Sequence, residues 1–235
     1  MHYKYYIVFN RQTNIDTGVL IKTRPSKPSP TMKYEEIEAP GRDGLLYKEK
    51  GYGDIDISIS FNFVSKTPEK WDKDFRKVKK WLLGNEDKNL KFSDDLEVFY
   101  KVNKVTIETP ERVMKRLGRF TVTFTCEPYV YLEDGKDEIN LTNNIYNYNE
   151  TSKPIYLIYG EGYLNLNVNG KVINVNVGQK IIIDTNLGLC FREDGSINNV
   201  ALKGMYKDLY LKEGENTFSW TGSFQIKIIP NWRCL

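Results

Sequence analysis

The chain has 235 residues, of which 34 are basic and 31 acidic, giving a net charge of +3, and it carries 16 tyrosines. That length can bury a sizeable core in one large or two smaller β domains, and its Tyr, Val, Ile, Phe and Thr content leans towards strands. The charge balance is too even to suggest a nucleic-acid footprint, which would need a clustered basic face, so no sequence-specific nucleic-acid partner is expected, and no apolar run approaches membrane-spanning length.

Residues 3–9 and 19–22 read as short strands separated by the polar NRQTNIDTG. Residues 23–44 carry Pro25, Pro28, Pro30 and Pro40, which excludes a central strand or a helix interior. The segment reads as an extended arm or a long loop. At its end, EAPGRDGLL sets Pro40, Gly41 and Gly44 around the adjacent Arg42 and Asp43. In DIDISISFNF, residues 54–63, apolar and polar residues alternate without a break. That is a strand with one wet face, hence part of an antiparallel sheet.

A single convincing helix is expected over 67–83, with Thr67 as cap, Pro68 at the first helical position and Gly84 as its stop. Trp71, Phe75, Val78 and Leu82 fall on one stripe of it. The β pattern then resumes through GRFTVTFTCEPYVYLE, where Cys126 shares the core side with Val122 and Phe124. A polar, Asn-rich run over 133–154 marks a composition shift. The expected division is a domain over 1–138, containing the helix, and a second over 139–235.

The second half reads as a β-sandwich without a helix of convincing length. In GYLNLNVNGKVINVNVG, the pair Asn169-Gly170 signals a two-residue type I′ hairpin. If Val168 faces Lys171, then Leu166 faces Ile173, Leu164 faces Val175, and Asn165 meets Asn174 on the other face. Turn and pattern then agree.

Chemistry is sparsely signalled. The single histidine, His2, stands at the second position, so no His-pair metal site and no Ser-His or Cys-His pairing is expected. Cys126, Cys190 and Cys234 fit neither a metal spacing nor an even disulfide framework, which suits synthesis in a reducing cytoplasm. The acid pairs Glu35-Glu36 and Asp94-Asp95 read as solvated surface. APGRDG lacks the Gly-Lys-Ser/Thr ending of a P-loop. It reads as turn chemistry, with Arg42 and Asp43 left to pair with each other or with a neighbouring chain. Trp220, Trp232 and the many asparagines allow a lectin-like reading, against core packing of both tryptophans. No catalytic, cofactor-binding or metal site is expected.

The order of these features, from APGRDG through the helix ending in WLLG to KNLKFSDDLEVFYKV, FTVTFTCEPYVY, KPIYLIYGEGYLNLNVNG and LYLKEGENTFSW, resembles the distal tail proteins of long-tailed, non-contractile bacteriophages and of prophages in Gram-positive bacteria. The resemblance implies a mainly β chain: an N-terminal sandwich or barrel-like domain with one helix, and a C-terminal galectin-like sandwich. It implies a homo-hexameric ring in the virion, at the tail tip. The implied partners are the tail tube protein, the tape measure protein, the tail-tip hub or tail-associated lysin, and in some phages receptor-binding proteins. It also implies no enzyme activity and a structural or inter-subunit role for Pro40, Gly41, Arg42, Asp43 and Gly44. The alternative is a carbohydrate-binding module for host cell-wall saccharide. A cell-wall hydrolase is disfavoured by the absence of any convincing acid–base or metal set.

Overall fold

The computed structural model describes residues 5–235. In chain order the strands are β1 Ile7–Phe9, β2 Gln12–Thr13, β3 Val19–Ile21, β4 Met32–Ile37, β5 Leu46–Tyr52 and β6 Ile55–Val64. The helix α1, Trp71–Leu82, follows. Then come β7 Asn89–Phe92, β8 Asp95–Ile107, β9 Glu111–Arg112 and β10 Leu117–Leu132. The second half holds β11 Ile139–Asn140, β12 Asn144–Asn147, β13 Ile155–Val168, β14 Lys171–Asp184 and β15 Leu189–Arg192. It ends with β16 Leu202–Lys203, β17 Gly214–Trp220, β18 Gln225–Ile229 and β19 Arg233–Cys234. The chain is mainly β, and among the described residues no helix is long and apolar enough to cross a membrane.

Two compact units divide between Val130 and Tyr131. The composition shift pointed instead to residue 138. The difference has a physical cause: β10 is a single strand that runs past the division to Leu132, so the chain changes unit inside regular structure and ahead of the polar run.

The first unit is built on a sheet in the order β2-β1-β7-β8-β10-β6-β3, with β9 also against β10. The alternation expected over 54–63 is realised. Ile55, Ile57, Ile59, Phe61 and Phe63 are buried, and β6 pairs with β10 from Val64–Leu117 to Ile55–Cys126. Cys126 is fully buried beside them. The sheet curls until its ends meet at a side chain. Buried Asn14 accepts a hydrogen bond at Oδ1 from the Ile7 amide (2.8 Å) and donates from Nδ2 to the Val19 carbonyl (2.9 Å). Its backbone repeats both links, donating to the Ile7 carbonyl and accepting from the Val19 amide. One asparagine thus stands in for a strand residue between β1 and β3.

The helix covers the open end of this curl. Trp71, Phe75, Val78, Trp81 and Leu82 are buried. Phe63 stacks on Phe75 at 5.5 Å between ring centroids, and Phe75 meets Phe120 edge-on at 5.3 Å. Trp81 Nε1 donates to the Phe9 carbonyl at 2.7 Å. Asn10 Nδ2 donates to the carbonyls of Trp81 and Gly84, closing the helix C-terminus. Thr67 occupies the capping position, but its hydroxyl makes no cap hydrogen bond. Pro68–Lys70 form a tighter 3₁₀ turn there instead, and the α-helix starts at Trp71.

The second unit is built on one long hairpin. β13 and β14 pair over 14 residues each, and Val168–Lys171, Leu166–Ile173, Leu164–Val175 and Asn165–Asn174 face one another as expected. Asn169 (φ 52°) and Gly170 (φ 79°) supply the two positive φ angles of a type I′ turn. Near its middle the hairpin passes Gly160 (φ 142°) and Gly162 (φ 107°), opposite Gln179 and Val177. A ladder carrying such residues can bend sharply. The register does not slip, so the same face stays inward through the bend. Tyr156, Ile158, Leu164, Leu166 and Val168 all join one core. β13 pairs with β18 on one side of the bend and with β17 on the other. The resulting sheet curls around its own core.

Candidate interaction surface

The stretch that began as a Pro-rich arm has two parts. Its first leg lies along the curled sheet. Lys22 donates its amide to Ser60, Arg24 stands over the Tyr5 ring at 5.1 Å, and Lys27 stands over Phe92 at 4.6 Å while pairing with Asp94. From Met32 the chain leaves that surface. Among the described residues β4 and β5 pair only with each other, as a separate two-stranded sheet. The sequence showed the outgoing strand only as part of an arm and did not show the return over 46–52. LYKEKGY has no alternation because both faces of β5 are wet.

APGRDG is the tip of this hairpin. Gly41 (φ 79°) and Gly44 (φ 81°) adopt the left-handed conformation that the turn requires, and the Arg42 amide donates to the Ala39 carbonyl at 3.2 Å. Pro40, Arg42 and Asp43 are exposed. Neither Arg42 nor Asp43 forms an ion pair among the described residues. The two do not pair with each other, nor with β6.

The hairpin displays apolar surface. Tyr34, Ile37, Leu45, Leu46 and Tyr47 are all exposed, Tyr47 at 62%. Tyr34 and Tyr47 meet edge-on across the two strands at 6.1 Å, and Glu35 pairs with Lys50 at 2.8 Å. At the base, Tyr52 packs edge-on against Tyr129. A two-stranded hairpin is marginal in water unless something packs on it, and an exposed strand edge is a template for pairing.

Two of the three cysteines, Cys126 and Cys190, are buried. Burial, helped by the nearby carboxylates of Asp56 and Asp54, pushes the Cys126 thiol up to about 12. Burial also raises Cys190, against the Tyr206 hydroxyl, which lowers it. Neither supplies a thiolate nucleophile near neutral pH. A cleft of about 580 Å³ beside α1 is lined by Asp16, Asp74, Lys77 and Lys80 among others. Two of its three acids, Asp16 and Asp74, serve the fold. Asp16 accepts from the Thr13 amide and hydroxyl, which holds its carboxyl below the usual range. Asp74 accepts from Ser65 Oγ at 2.6 Å. No group of three or more His, Cys, Asp or Glu residues is placed to hold a metal among the described residues. His2 lies outside the described residues.

Comparison with known proteins agrees with this architecture. The family model of the phage tail protein RIFT-related domain matches residues 3–126. No curated protein matches the chain. Among solved structures, the Dit protein of phage SPP1, a hub of the adsorption apparatus in phages that infect Gram-positive bacteria, superposes with a TM-score of 0.65 at 14% identity. That match covers 95% of this chain and 97% of the other. A chain of the phage P2 baseplate, in its activated conformation with calcium, gives a TM-score of 0.52 at 12% identity, covering 99% and 98%. The strontium form of that baseplate gives 0.52 at 12%, covering 96% and 97%. At these identities the likeness establishes the fold.

Proposed function

Because the chain belongs to the phage tail protein RIFT-related family, we propose that it is a distal tail protein of a long-tailed phage or prophage. Six copies form a ring that joins the tail tube to the host-attachment apparatus at the tail tip. The first unit, with α1, forms the ring. The second unit, a galectin-like sandwich in this reading, sits outside it. The neighbours along the tail axis are the tube protein and tape measure on one side and the hub or tail-associated lysin on the other. Receptor-binding proteins attach at the periphery.

The observation that carries this reading is the β4–β5 hairpin. Among the described residues it pairs with no other strand, and it exposes five large apolar side chains. Covering it in a heterologous, self-closing interface is the condition for a ring. Pro40, Gly41, Arg42, Asp43 and Gly44 at its tip then serve as an inter-subunit contact, with no catalytic role. The test is sedimentation velocity at micromolar concentration on the parent and on Tyr34→Ser/Tyr47→Ser. Both tyrosines are exposed, so the variant should melt like the parent while its assembly collapses to smaller species. A variant that assembles like the parent would exclude the hairpin as the ring contact.

A further inference from the structure

The asparagines of the second unit differ in what their carboxamides do. Some are spent on the fold. Asn147 Nδ2 donates to the Glu150 and Leu211 carbonyls. Asn216 bonds Lys212 and Gly214, and Asn169 bonds Asn216 and Thr217. Among the rest, Asn144, Asn165, Asn167, Asn174 and Asn176 lie on three strands. These alternate with buried residues along β12, β13 and β14, and so face away from the core. Their carboxamides make no hydrogen bond to the chain among the described residues.

We infer that this outward face of the second unit binds an uncharged glycan chain, held by the free carboxamides and flanked by tyrosine rings. The strand register makes the face continuous. Asn144 stands opposite Thr217, Asn167 opposite Ser219, Asn165 opposite Asn174, and Tyr163 opposite Asn176. Four adjacent strands, β12, β17, β13 and β14, contribute. At ~4.8 Å between strands the row is about 14 Å across, the reach of a short oligosaccharide.

Three features select that ligand class. First, asparagine is depleted in strands, so a face made only to be wet and stable would carry threonine instead. Second, the five amides are interrupted by no charged residue along their own strands; the nearest charges are Glu215 opposite Tyr146, Glu161 two residues before Tyr163, and a single cation, Lys203 opposite Asn174. An anionic polymer would call for arginine or lysine within the face. A carboxamide both donates and accepts, which matches a hydroxyl that does the same. Third, exposed tyrosines border the amides. Tyr163 is 80% exposed, and Tyr146 and Tyr148 stand with ring centroids 4.5 Å apart. Rigid tyrosine surface beside adaptable amides is an effective recognition pairing. A depression of about 300 Å³ lies among Asn144, Asn167, Thr217 and Ser219. There Asn167 Oδ1 is shielded and accepts no hydrogen bond from the protein, leaving an acceptor for a ligand hydroxyl.

The test uses the full chain with saturation-transfer NMR and titration calorimetry. Maltohexaose, cellohexaose and chitohexaose are the neutral probes, and a poly(glycerol phosphate) oligomer is the charged one. The inference expects saturable binding of at least one neutral probe, weakened by about tenfold or more in Asn165→Thr/Asn174→Thr. That variant should melt no lower than the parent, since threonine is the better strand former. Binding of the charged oligomer alone, binding of none, or a threonine variant that binds like the parent would each overturn it. The same samples report assembly. A ring that binds none of the probes therefore defeats this inference and leaves the ring reading intact.

Discussion

Asn14 is the residue on which closure of the first unit turns. Asn14→Ala removes the acceptor of the Ile7 amide and the donor to the Val19 carbonyl while leaving both backbone groups in place. Asn14 is 0% exposed, so water does not replace the lost partners without opening the sheet. A buried polar group stripped of its partner costs about 1–3 kcal/mol, and two groups together cost about 2–6 kcal/mol. Taking about 4 kcal/mol, at ~2–4 °C per kcal/mol, the first unit should melt roughly 8–16 °C lower. The assay is differential scanning calorimetry, with Asn103→Ala as the exposed amide control, which should stay within ~0.5 kcal/mol of the parent. An Asn14→Ala shift no larger than that of the control would refute the claim that one side chain joins β1 to β3.

Trp81→Phe removes one of the two indole rings of a buried side chain together with its donor to the Phe9 carbonyl, and should cost more in urea unfolding than the about 1–3 kcal/mol of the lost hydrogen bond alone. Asn169→Ala puts a residue that tolerates the left-handed region less well than asparagine at φ 52° and severs the links to Asn216 and Thr217. A loss of about 2–3 kcal/mol in the second unit is expected by circular dichroism melts. Cys126 and Cys190 should resist iodoacetamide at pH 8 in the native protein and react in denaturant. Burial raises both thiols, so the reactive thiolate is scarce until unfolding, as peptide mass spectrometry can read. Arg42→Ala/Asp43→Ala should melt within ~0.5 kcal/mol of the parent, because neither group is buried or ion-paired. Any defect it causes should appear in ring assembly, measured by native mass spectrometry.

Where one face of a strand is buried, the sequence carries the structure openly. β6 and the β13–β14 hairpin are legible residue by residue because their period-2 pattern admits a single register. The helix stripe is legible for the same reason at period 3.6. The β4–β5 hairpin is not, because neither face is buried within this chain. EEIE and LYKEKGY record solvent, or an interface that the chain alone does not contain. The seam is hidden differently. Asn14 sits in a polar loop sequence, and nothing local distinguishes it from Asn10, which closes the helix instead. Composition registers the polar run over 133–154, whereas the two compact units divide inside β10, which runs on as a strand beyond Val130. The amide face was half-visible. Pairing Asn165 with Asn174 on paper already set two amides side by side, but Ser219, Thr217 and Asn144 join them only through pairings distant in sequence.

The measurement that tests the central claim most directly is electron microscopy of the purified full chain, with native mass spectrometry on the same sample across a concentration series. The account predicts six-fold rings with an axial opening, at six times the chain mass, with the first unit at the inner wall and the second outside. A strictly monomeric species at every concentration, or a closed assembly of another order with the hairpin pointing into solvent, would contradict it.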